Sequence, residues 1–273
     1  MPASQRLQAL TVAAPPSLVG GDLVVLGRHP LASNAVFVAE VRAPDQPTVA
    51  VAYKPVDGER PLWDFPDGSL AAREVAASRI DALGGFDLVP PTVWRDGPAG
   101  AGAVQQWIGE ITSLCPTPVT VTRPDEVPDG NLVVLEGEDE GGAPVLLSHP
   151  DDPRLRSMAV LDAVLNNSDR KGGHVLDYGG RLWGIDHGVS LHEEPKLRTV
   201  LWGWAGEPLP DGDLERLARL DAELARPEVE AELAGLITPT EFDALRRRVN
   251  RLLDRRTHPV PHGDWPPIPW PAL

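Results

Sequence analysis

The chain has 273 residues, 42% of them hydrophobic, and a formal net charge of −15 at pH 7. This length can bury a core, and the hydrophobic content is typical of a globular protein rather than a disordered one. The negative charge disfavours binding to nucleic acid or anionic lipid, because their phosphates would be repelled. We therefore expect no nucleic-acid partner and no stable membrane association.

The sequence also predicts a cytoplasmic location. It contains no apolar run of the roughly 18 residues that a membrane span needs. The first 17 residues, MPASQRLQALTVAAPPS, contain no sustained apolar stretch of the kind found in signal peptides. A single cysteine, Cys115, excludes an internal disulfide framework and suits a reducing compartment.

The N-terminal third is rich in predicted strands. Residues 18–56 contain three, LVGGDLVVLGR, NAVFVAEVR and TVAVAYKPV, separated by short Gly, Pro or Asp breaks. Valines at 36, 38 and 41 and apolar residues at 49, 51 and 53 indicate an antiparallel sheet. The spacing of apolar residues predicts a helix over 69–83, and two short strands follow, DLVPPTVWRDG and AGAVQQWIG.

The remainder is predicted to be mostly helical. LVVLEGEDEGGAPVLL, within 110–150, has the pattern of a hairpin, and Asp152 with Pro153 predicts the start of a helix that runs to Asn167. Further helices are expected over 211–226 and 238–256, the latter opening with the capping box of Thr238 and Glu241. Two tryptophans are expected to hold the tail HGDWPPIPWPAL against the body. The order predicts an α+β protein with two lobes and a cleft between them.

Lys54 and Glu74 form the first candidate pair for chemistry. The protein has only three lysines, and Lys54 stands near the end of a predicted strand, in VAVAYKP. Glu74 lies in the middle of the following helix. A lysine on a strand and a glutamate on the next helix form the ion pair that directs the lysine toward nucleotide phosphates in kinases. The alternative is a lysine at a strand end whose ammonium reaches solvent.

The stretch NNSDRKGGHVLDYGGRLWGIDHG, residues 166–188, provides the second set of candidates. Asp169 directly follows the predicted helix, and His174 and Asp186 bracket a short predicted hairpin, which brings them together. One carboxylate and one imidazole side by side can hold a divalent metal, and Asp169 beside them could accept a proton from a hydroxyl. The alternative is a polar loop whose Asn and Asp residues only shape the backbone.

Two of these motifs resemble a known group of proteins. SDRKGGH followed by IDHG resembles the catalytic and metal-binding loops of phosphoinositide 3- and 4-kinases and related atypical kinases. KPVDGERPLWDFPDGSLAAREVA together with NNSDRKGGHVL resembles an actinobacterial family distantly similar to those lipid kinases. The resemblance extends over most of the chain. It implies one protein-kinase-like domain with a β-rich N-lobe over 1–109 and a helical C-lobe over 110–273.

The resemblance implies ATP and Mg²⁺ or Mn²⁺ as cofactors and a role for each matched residue. Lys54 would contact phosphate with Glu74 as its partner, Asp169 would be the catalytic-loop aspartate, and Asp186 would bind metal. Arg170, in the same loop, is counted with the catalytic residues. The stretch over 104–108, which contains Gln105, Gln106, Trp107 and Ile108, would link the lobes and hold adenine, and the loop with Ser33 and Asn34 would cover the phosphates.

Two departures from the kinase pattern keep alternatives open. His174 stands where those kinases have a metal-binding asparagine, and imidazole suits softer ions than Mg²⁺. The loop around Ser33 lacks the glycine-rich pattern of protein kinases. The main prediction is an ATP-dependent phosphotransferase whose acceptor is a protein, itself or a soluble small molecule. A nucleotide-binding pseudokinase is the first alternative. The second is a metal-dependent phosphohydrolase built on a histidine and aspartate cluster: His149, Asp151, Asp169, His174, Asp186 and His187.

The segment over 189–210 follows the second aspartate, where kinases have their activation segment. Trp202 and Trp204 in this segment are candidates for shaping the acceptor site. The alternative is that both anchor the core beneath the C-terminal helices.

Overall fold

The computed structural model describes residues 16–30, 32, 34–262 and 265–273. After a short helix, α1 (Pro16–Gly20), five strands form one antiparallel sheet: β1 (Asp22–Arg28), β2 (Phe37–Arg42), β3 (Val49–Pro55), β4 (Thr92–Gly97) and β5 (Gly100–Gln106). Their order across the sheet is β1-β2-β3-β5-β4. All five strands that the sequence predicts in this region are therefore confirmed.

The alternation of side chains along β3 determines on which face of the sheet Lys54 lies. Val51 and Tyr53 are 0% exposed and pack with Leu18 on one face of the sheet. Side chains alternate along a strand, so Lys54 lies on the opposite face. In β2 the fully buried residues are Ala39 and Val41, whereas Val38 is only half-buried. Val38 and Val41 therefore lie on opposite faces of the strand, and the antiparallel pairing that the valines indicated is confirmed.

Helix α2 (Leu70–Gly84) covers the face of the sheet that carries Lys54, packing on β4 and β5. The Ser69 side chain accepts the Ala72 N–H at the N-terminus, and Gly85 ends the helix with φ of 74°. The prediction over 69–83 is confirmed to within a residue at each end. Because α2 also packs against a C-terminal helix over Asp211–Leu224, it is buried on nearly all sides, including Glu74 in its middle.

The rest of the chain contains two small sheets and four further helices in its described part. Strands β6 (Thr120–Thr122), β7 (Asn131–Glu138) and β8 (Pro144–Pro150) form a sheet of order β6-β8-β7, and β9 (Val175–Tyr178) pairs with β10 (Arg181–Gly184). The helices are α3 (Pro153–Leu165), α4 (Asp211–Leu224), α5 (Pro227–Leu233) and α6 (Pro239–Arg255). Both hairpins and the capping box of α6 are confirmed, while β6 and α5 were not predicted.

The C-terminal tail lies against the body through backbone hydrogen bonds and through Trp265, whose ring lies near Lys196 and Arg198, but not through Trp270. Trp270 is 83% exposed, so the expectation that it anchors the tail is wrong. Instead, the carbonyl of Ala272 accepts the Gly172 N–H at 2.8 Å, and that of Pro267 accepts the Trp202 indole N–H at 2.9 Å. Among the described residues, no helix is long and apolar enough to cross a bilayer.

His258, just beyond α6, predicts a loss of stability in acid. It is 4% exposed, and its Nε2 accepts from Arg156 Nε at 3.3 Å. Burial, aided by Arg156, lowers the pKa of His258 from 6.5 to about 4. The unfolded chain therefore binds this proton at a higher pH than the folded one, so the stabilisation is complete above about pH 6.5 and is lost as pH falls toward about 4. The expected contribution is about 1 to 3 kcal/mol.

Chemical denaturation of the parent and of His258→Gln at about pH 7.5 and about pH 4.5 measures this contribution. The glutamine can still accept from Arg156 but does not titrate. The parent is expected to lose more free energy of unfolding between the two pH values than the variant does. Equal losses in the two proteins would show that His258 does not drive the effect.

Candidate active site

Lys54 is held between two carboxylates from different parts of the chain. Its Nζ donates to Glu74 Oε1 on α2 and, at 3.0 Å, to Asp186 Oδ1 just after β10. The Lys54 and Glu74 side chains are 17% and 2% exposed, and that of Asp186 is 52% exposed. Burial lowers the pKa of Lys54, but Asp186 and Glu74 outweigh it and raise the pKa overall, so the ammonium stays charged.

The two carboxylates respond to Lys54 in different ways. Lys54 holds the pKa of Asp186 well below its usual range. Burial raises the pKa of Glu74, and Lys54 opposes this effect. Glu74 Oε2 is buried, and a hydrogen bond from the His187 backbone also lowers the pKa of this carboxyl. Carboxyl groups with perturbed pKa values are typical of functional sites.

Asp169 lies in the loop after α3 with its carboxylate 27% exposed. Its backbone N–H donates to Asn167 Oδ1 at 3.0 Å, and the Lys171 ammonium lies 3.2 Å from its Oδ2. The loop is fixed from behind by Arg170 and Asp162, both 0% exposed, which pair at 3.0 Å. The Asp169 carboxylate is thus positioned by a rigid backbone, yet remains accessible.

His174 connects the two aspartates. Its Nδ1 lies 3.0 Å from the carbonyl oxygen of Asp169, and its Nε2 lies 3.3 Å from Asp186 Oδ2. A carbonyl oxygen only accepts, so Nδ1 carries the proton. Burial, opposed by Asp186, lowers the pKa of His174 below 6.5, which keeps the ring neutral at pH 7. The lone pair of Nε2 therefore faces a carboxylate oxygen, an arrangement that a cation between them would stabilise.

A cavity of about 270 Å³ collects these groups. Its lining includes Lys54, Glu74, Asp169, His174 and Asp186. The other charged residues lining it are Glu59 and Lys171. Four carboxylates against two ammonium groups leave the cavity short of positive charge. This charge balance and the paired oxygen and nitrogen donors fit a divalent cation.

Glu59 is a charged lining residue that the sequence analysis missed, as is Lys171. Its carboxylate accepts the N–H groups of Leu70 and Ala71 at 2.9 and 2.7 Å, at the start of α2. A carboxylate at a helix N-terminus stabilises the helix. The residue lies eleven positions before Leu70, so no local capping pattern pointed to it.

The residues proposed for adenine lie apart from this cavity. The Gln105 side chain is 4% exposed and donates to Thr92 Oγ1 at 2.9 Å. The N–H groups of Gln106 and Trp107 donate to Pro91 and Ala50 at 2.9 and 2.8 Å. The cavity lining, within the part of the chain that the structure describes, includes neither these residues nor Ile108.

Two further predicted residues belong to the loop before β2. Asn34 lines the cavity, and its Oδ1 accepts the Arg60 N–H at 3.0 Å. Ser33 lies outside the described residues.

The histidine and aspartate cluster of the phosphohydrolase alternative does not converge. Asp151 accepts the indole N–H of Trp204 at 2.8 Å, and His149 packs on the same tryptophan with ring centroids 4.6 Å apart. His187 is buried against Arg170. Within residues 16–30, 32, 34–262 and 265–273, no group of three or more His, Cys, Asp or Glu side chains is placed to hold a metal.

Of the two tryptophans considered for the acceptor site, Trp204 is a core residue. It is 1% exposed.

No protein-family model matches the chain. Protein Rv2133c of Mycobacterium tuberculosis is 49% identical over 264 residues, which cover 94% of this chain and 94% of that protein. The chain belongs to the family of Protein Rv2133c. Its mycobacterial source agrees with the actinobacterial part of the resemblance seen in the sequence.

Two solved structures resemble this member of the Rv2133c family in fold. The structure of hydra Fam20 with sugar matches with a TM-score of 0.50 and 12% identity, covering 93% of this chain and 94% of that one. A second match, to the Helicobacter pylori proinflammatory kinase CtkA, has a TM-score of 0.45 and 11% identity over 88% and 93% of the two chains. The α+β fold predicted from the sequence, kinase-like with a β-sheet lobe and a helical part, is confirmed.

Proposed function

We propose that this protein is an ATP-dependent phosphotransferase, an atypical kinase whose acceptor is a protein, itself or a soluble small molecule. The observation that carries the proposal is the Lys54 ammonium, held by Glu74 and Asp186 in the cavity that Asp169 and His174 also line. Each of these residues has a role in phosphoryl transfer, which depends on positioning and charge stabilisation. The kinase-like fold is consistent with this use of the cavity.

The roles of the side chains follow from their contacts. Lys54 would contact the phosphates of ATP, with Glu74 fixing its direction from α2. The acceptor hydroxyl oxygen would attack the γ-phosphorus, and the bond to the bridging oxygen would break to leave ADP. Asp169 would take the hydroxyl proton, because its carboxylate is accessible and its backbone is fixed.

Asp186 and His174 are the residues that would hold a divalent metal. When bound, Mg²⁺ or Mn²⁺ would supply positive charge to the phosphate oxygens. Asp186 Oδ2 and His174 Nε2 provide one oxygen and one nitrogen donor 3.3 Å apart. Hydrogen bonding at Nδ1 fixes the His174 ring so that Nε2 keeps its lone pair toward this position.

The remaining proposed contacts reach beyond the cavity. The loop with Ser33 and Asn34 would cover the phosphates. Adenine would lie outside the cavity lining, against the stretch with Gln106, Trp107 and Ile108, where the N–H groups of Gln106 and Trp107 already donate to Pro91 and Ala50 and so would not donate to it. Gln105 would support this stretch through its bond to Thr92 rather than contact the ligand. In this arrangement residues 1–109 would form the N-lobe and residues 110–273 the C-lobe.

Replacement of Lys54 tests the proposal. Lys54→Met is expected to lower transfer of the γ-phosphoryl group from radiolabelled ATP by tenfold or more, about 1.4 kcal/mol, because the phosphates lose their cationic partner. The variant also leaves Glu74 buried without its partner, which is expected to destabilise the fold. Lys54→Met/Glu74→Gln removes that buried charge and serves as the control.

The double variant is expected to fold like the parent and to stay as inactive as Lys54→Met. Transfer at the parental rate in either variant would contradict the role of Lys54 and the proposed function with it. Thermal unfolding of all three proteins checks that any loss is not due to misfolding.

The donor set at the metal position predicts the metal preference. Mg²⁺ strongly prefers oxygen, whereas Mn²⁺ accepts imidazole nitrogen more readily. Mn²⁺ is therefore expected to support transfer at least as well as Mg²⁺ in the parent, and His174→Asn is expected to shift the preference toward Mg²⁺. The metal preference is measured by titrating both proteins with each metal at saturating ATP and following phosphoryl transfer. If the parent prefers Mg²⁺ and His174→Asn has the same metal preference, His174 is not a ligand.

A nucleotide-binding pseudokinase is the second candidate. It is favoured by the contacts of Asp186, whose Oδ1 already pairs with Lys54 while its Oδ2 faces His174 rather than an asparagine. A protein that binds ATP in the presence of metal, measured by calorimetry, yet transfers no label would be this alternative.

A further inference from the structure

A second cavity lies beside helix α6, and it is basic in a protein of net charge −15. Its volume is about 110 Å³, several times the roughly 10–15 Å³ that one water needs. Helix α6 contributes Arg247, Arg248 and Arg251 to its lining, and the segment after that helix contributes His262. It shares no lining residue with the cavity at Lys54.

The three arginines have no carboxylate partner in the described part of the chain. None forms an ion pair within 4.0 Å; Arg247 and Arg251 are exposed, whereas Arg248 is partly buried. Glu193 also lines the cavity but is not paired with them. Arg247 and Arg251 are four residues apart on one helix face, where like charges repel. Three arginines on one helix without an ion-pair partner make this cavity able to receive an anion.

Arg248 provides the second observation. Its Nε donates to the carbonyl of Val164 at 2.9 Å and its Nη1 to that of His192 at 3.1 Å. Its Nη2 is buried and has no partner among the described residues. Burial lowers the pKa of Arg248 to about 9, aided by Arg247 and Arg251 and opposed by Glu241, so the guanidinium is charged at pH 7. An unpartnered guanidinium nitrogen is costly in such a place unless a ligand accepts from it.

We propose that this cavity binds a compact anion of the phosphate class, at a site separate from the cleft at Lys54. Arg248 is held in place by two backbone carbonyls and offers its free Nη2, while Arg247 and Arg251 supply charge from the same helix. Guanidinium groups recognise phosphate oxygens through paired N–H donors. The proposal does not depend on phosphoryl transfer at the other cavity.

Titration calorimetry of the full chain with inorganic phosphate, at constant ionic strength set with chloride, tests the site. Arg247→Gln/Arg251→Gln is expected to weaken phosphate binding tenfold or more. Both side chains are exposed and make no hydrogen bond in the described structure, so folding is expected to be unaffected. Arg255→Gln is the matched control, because Arg255 is an exposed arginine on the same helix outside the cavity. It is expected to bind phosphate like the parent.

Binding at the candidate active site is distinguished with Lys54→Met/Glu74→Gln. This variant is expected to retain phosphate binding. Loss of binding there, unchanged binding in Arg247→Gln/Arg251→Gln, or no phosphate binding by the parent would each overturn the proposal. Glycerol 3-phosphate in the same titration separates two sources of the anion. If glycerol 3-phosphate binds more tightly than inorganic phosphate, the natural ligand is a phosphate group on an organic molecule. If it binds more weakly, the natural ligand is the free ion.

Discussion

Asp169→Ala is expected to lower phosphoryl transfer from ATP by about 10²- to 10⁴-fold while ATP binding and the fold stay intact. The Asp169 carboxylate is accessible in the cavity, and Lys171, 3.2 Å away, is its one ion-pair partner among the described residues. A base acts on the acceptor hydroxyl rather than on ATP, so its loss should affect transfer alone. The backbone carbonyl that orients His174 is retained in the variant.

Three measurements decide this prediction: label transfer, ATP affinity by calorimetry, and thermal unfolding. Asp177→Ala is a suitable control, because it removes a carboxylate from the neighbouring hairpin that does not line the cavity. The control is expected to transfer label at the parental rate. A simultaneous loss of ATP affinity in Asp169→Ala would assign Asp169 to metal binding or to the fold instead of to proton transfer.

The sequence predicted best those helices whose ends are fixed by capping residues close in the chain. Helix α6 begins at its capping box, and α2 begins beside Ser69 and ends before Gly85, all signals within a few residues of the ends. The pairing of Lys54 and Glu74 agrees with the expectation from sequence, since α2 covers the face of the sheet on which Lys54 lies. Their chemical roles stay predictions.

The missed features depend on contacts between distant residues. Strand β6 has three residues and exists through its pairing with β8, 28 positions away at Thr120 and Ser148. Glu59 reaches the start of α2 across a loop that has no capping pattern. Helix α5 is different: Pro227 at its first position and Glu228 beside it were local signals that the sequence analysis overlooked.

Arg170 lies in the candidate catalytic loop, but its contacts are those of a residue that holds other groups in place. It is 0% exposed, and it does not line the cavity at Lys54 within the described structure. Its Nη1 donates to the carbonyls of His174 and Ile185 at 3.1 and 2.9 Å, and its Nη2 lies 2.6 Å from His187 Nε2. Arg170 therefore joins the loop of Asp169 to both ends of the hairpin that carries His174 and Asp186. We infer that it positions these groups and does not contact substrate.

Arg170→Met is expected to lower the free energy of unfolding by about 3 to 5 kcal/mol. The loss follows because Asp162, 0% exposed, would keep a buried charge after losing a partner that approaches it at 3.0 to 3.1 Å through two nitrogens. Denaturant titration at pH 7 measures it. Arg154→Met is the contrasting control: its pair with Asp152 is 45% and 21% exposed, and exposed pairs contribute about 0 to 1 kcal/mol.

The double variant Arg170→Met/Asp162→Asn separates the buried charge from the lost contacts. The introduced amide would be neutral, and its oxygen could still accept from Thr199 Oγ1, which donates to Asp162 at 3.1 Å in the parent. If the unpaired carboxylate causes most of the loss, the double variant should be more stable than Arg170→Met, despite one more substitution. Its transfer activity should stay low, because the loop and the hairpin would still lack the guanidinium that joins them. Stability below that of Arg170→Met would show that the unpaired Asp162 carboxylate is not the cause of the loss and that its hydrogen bonds from Asn167 and Thr199 stabilise the fold even without Arg170.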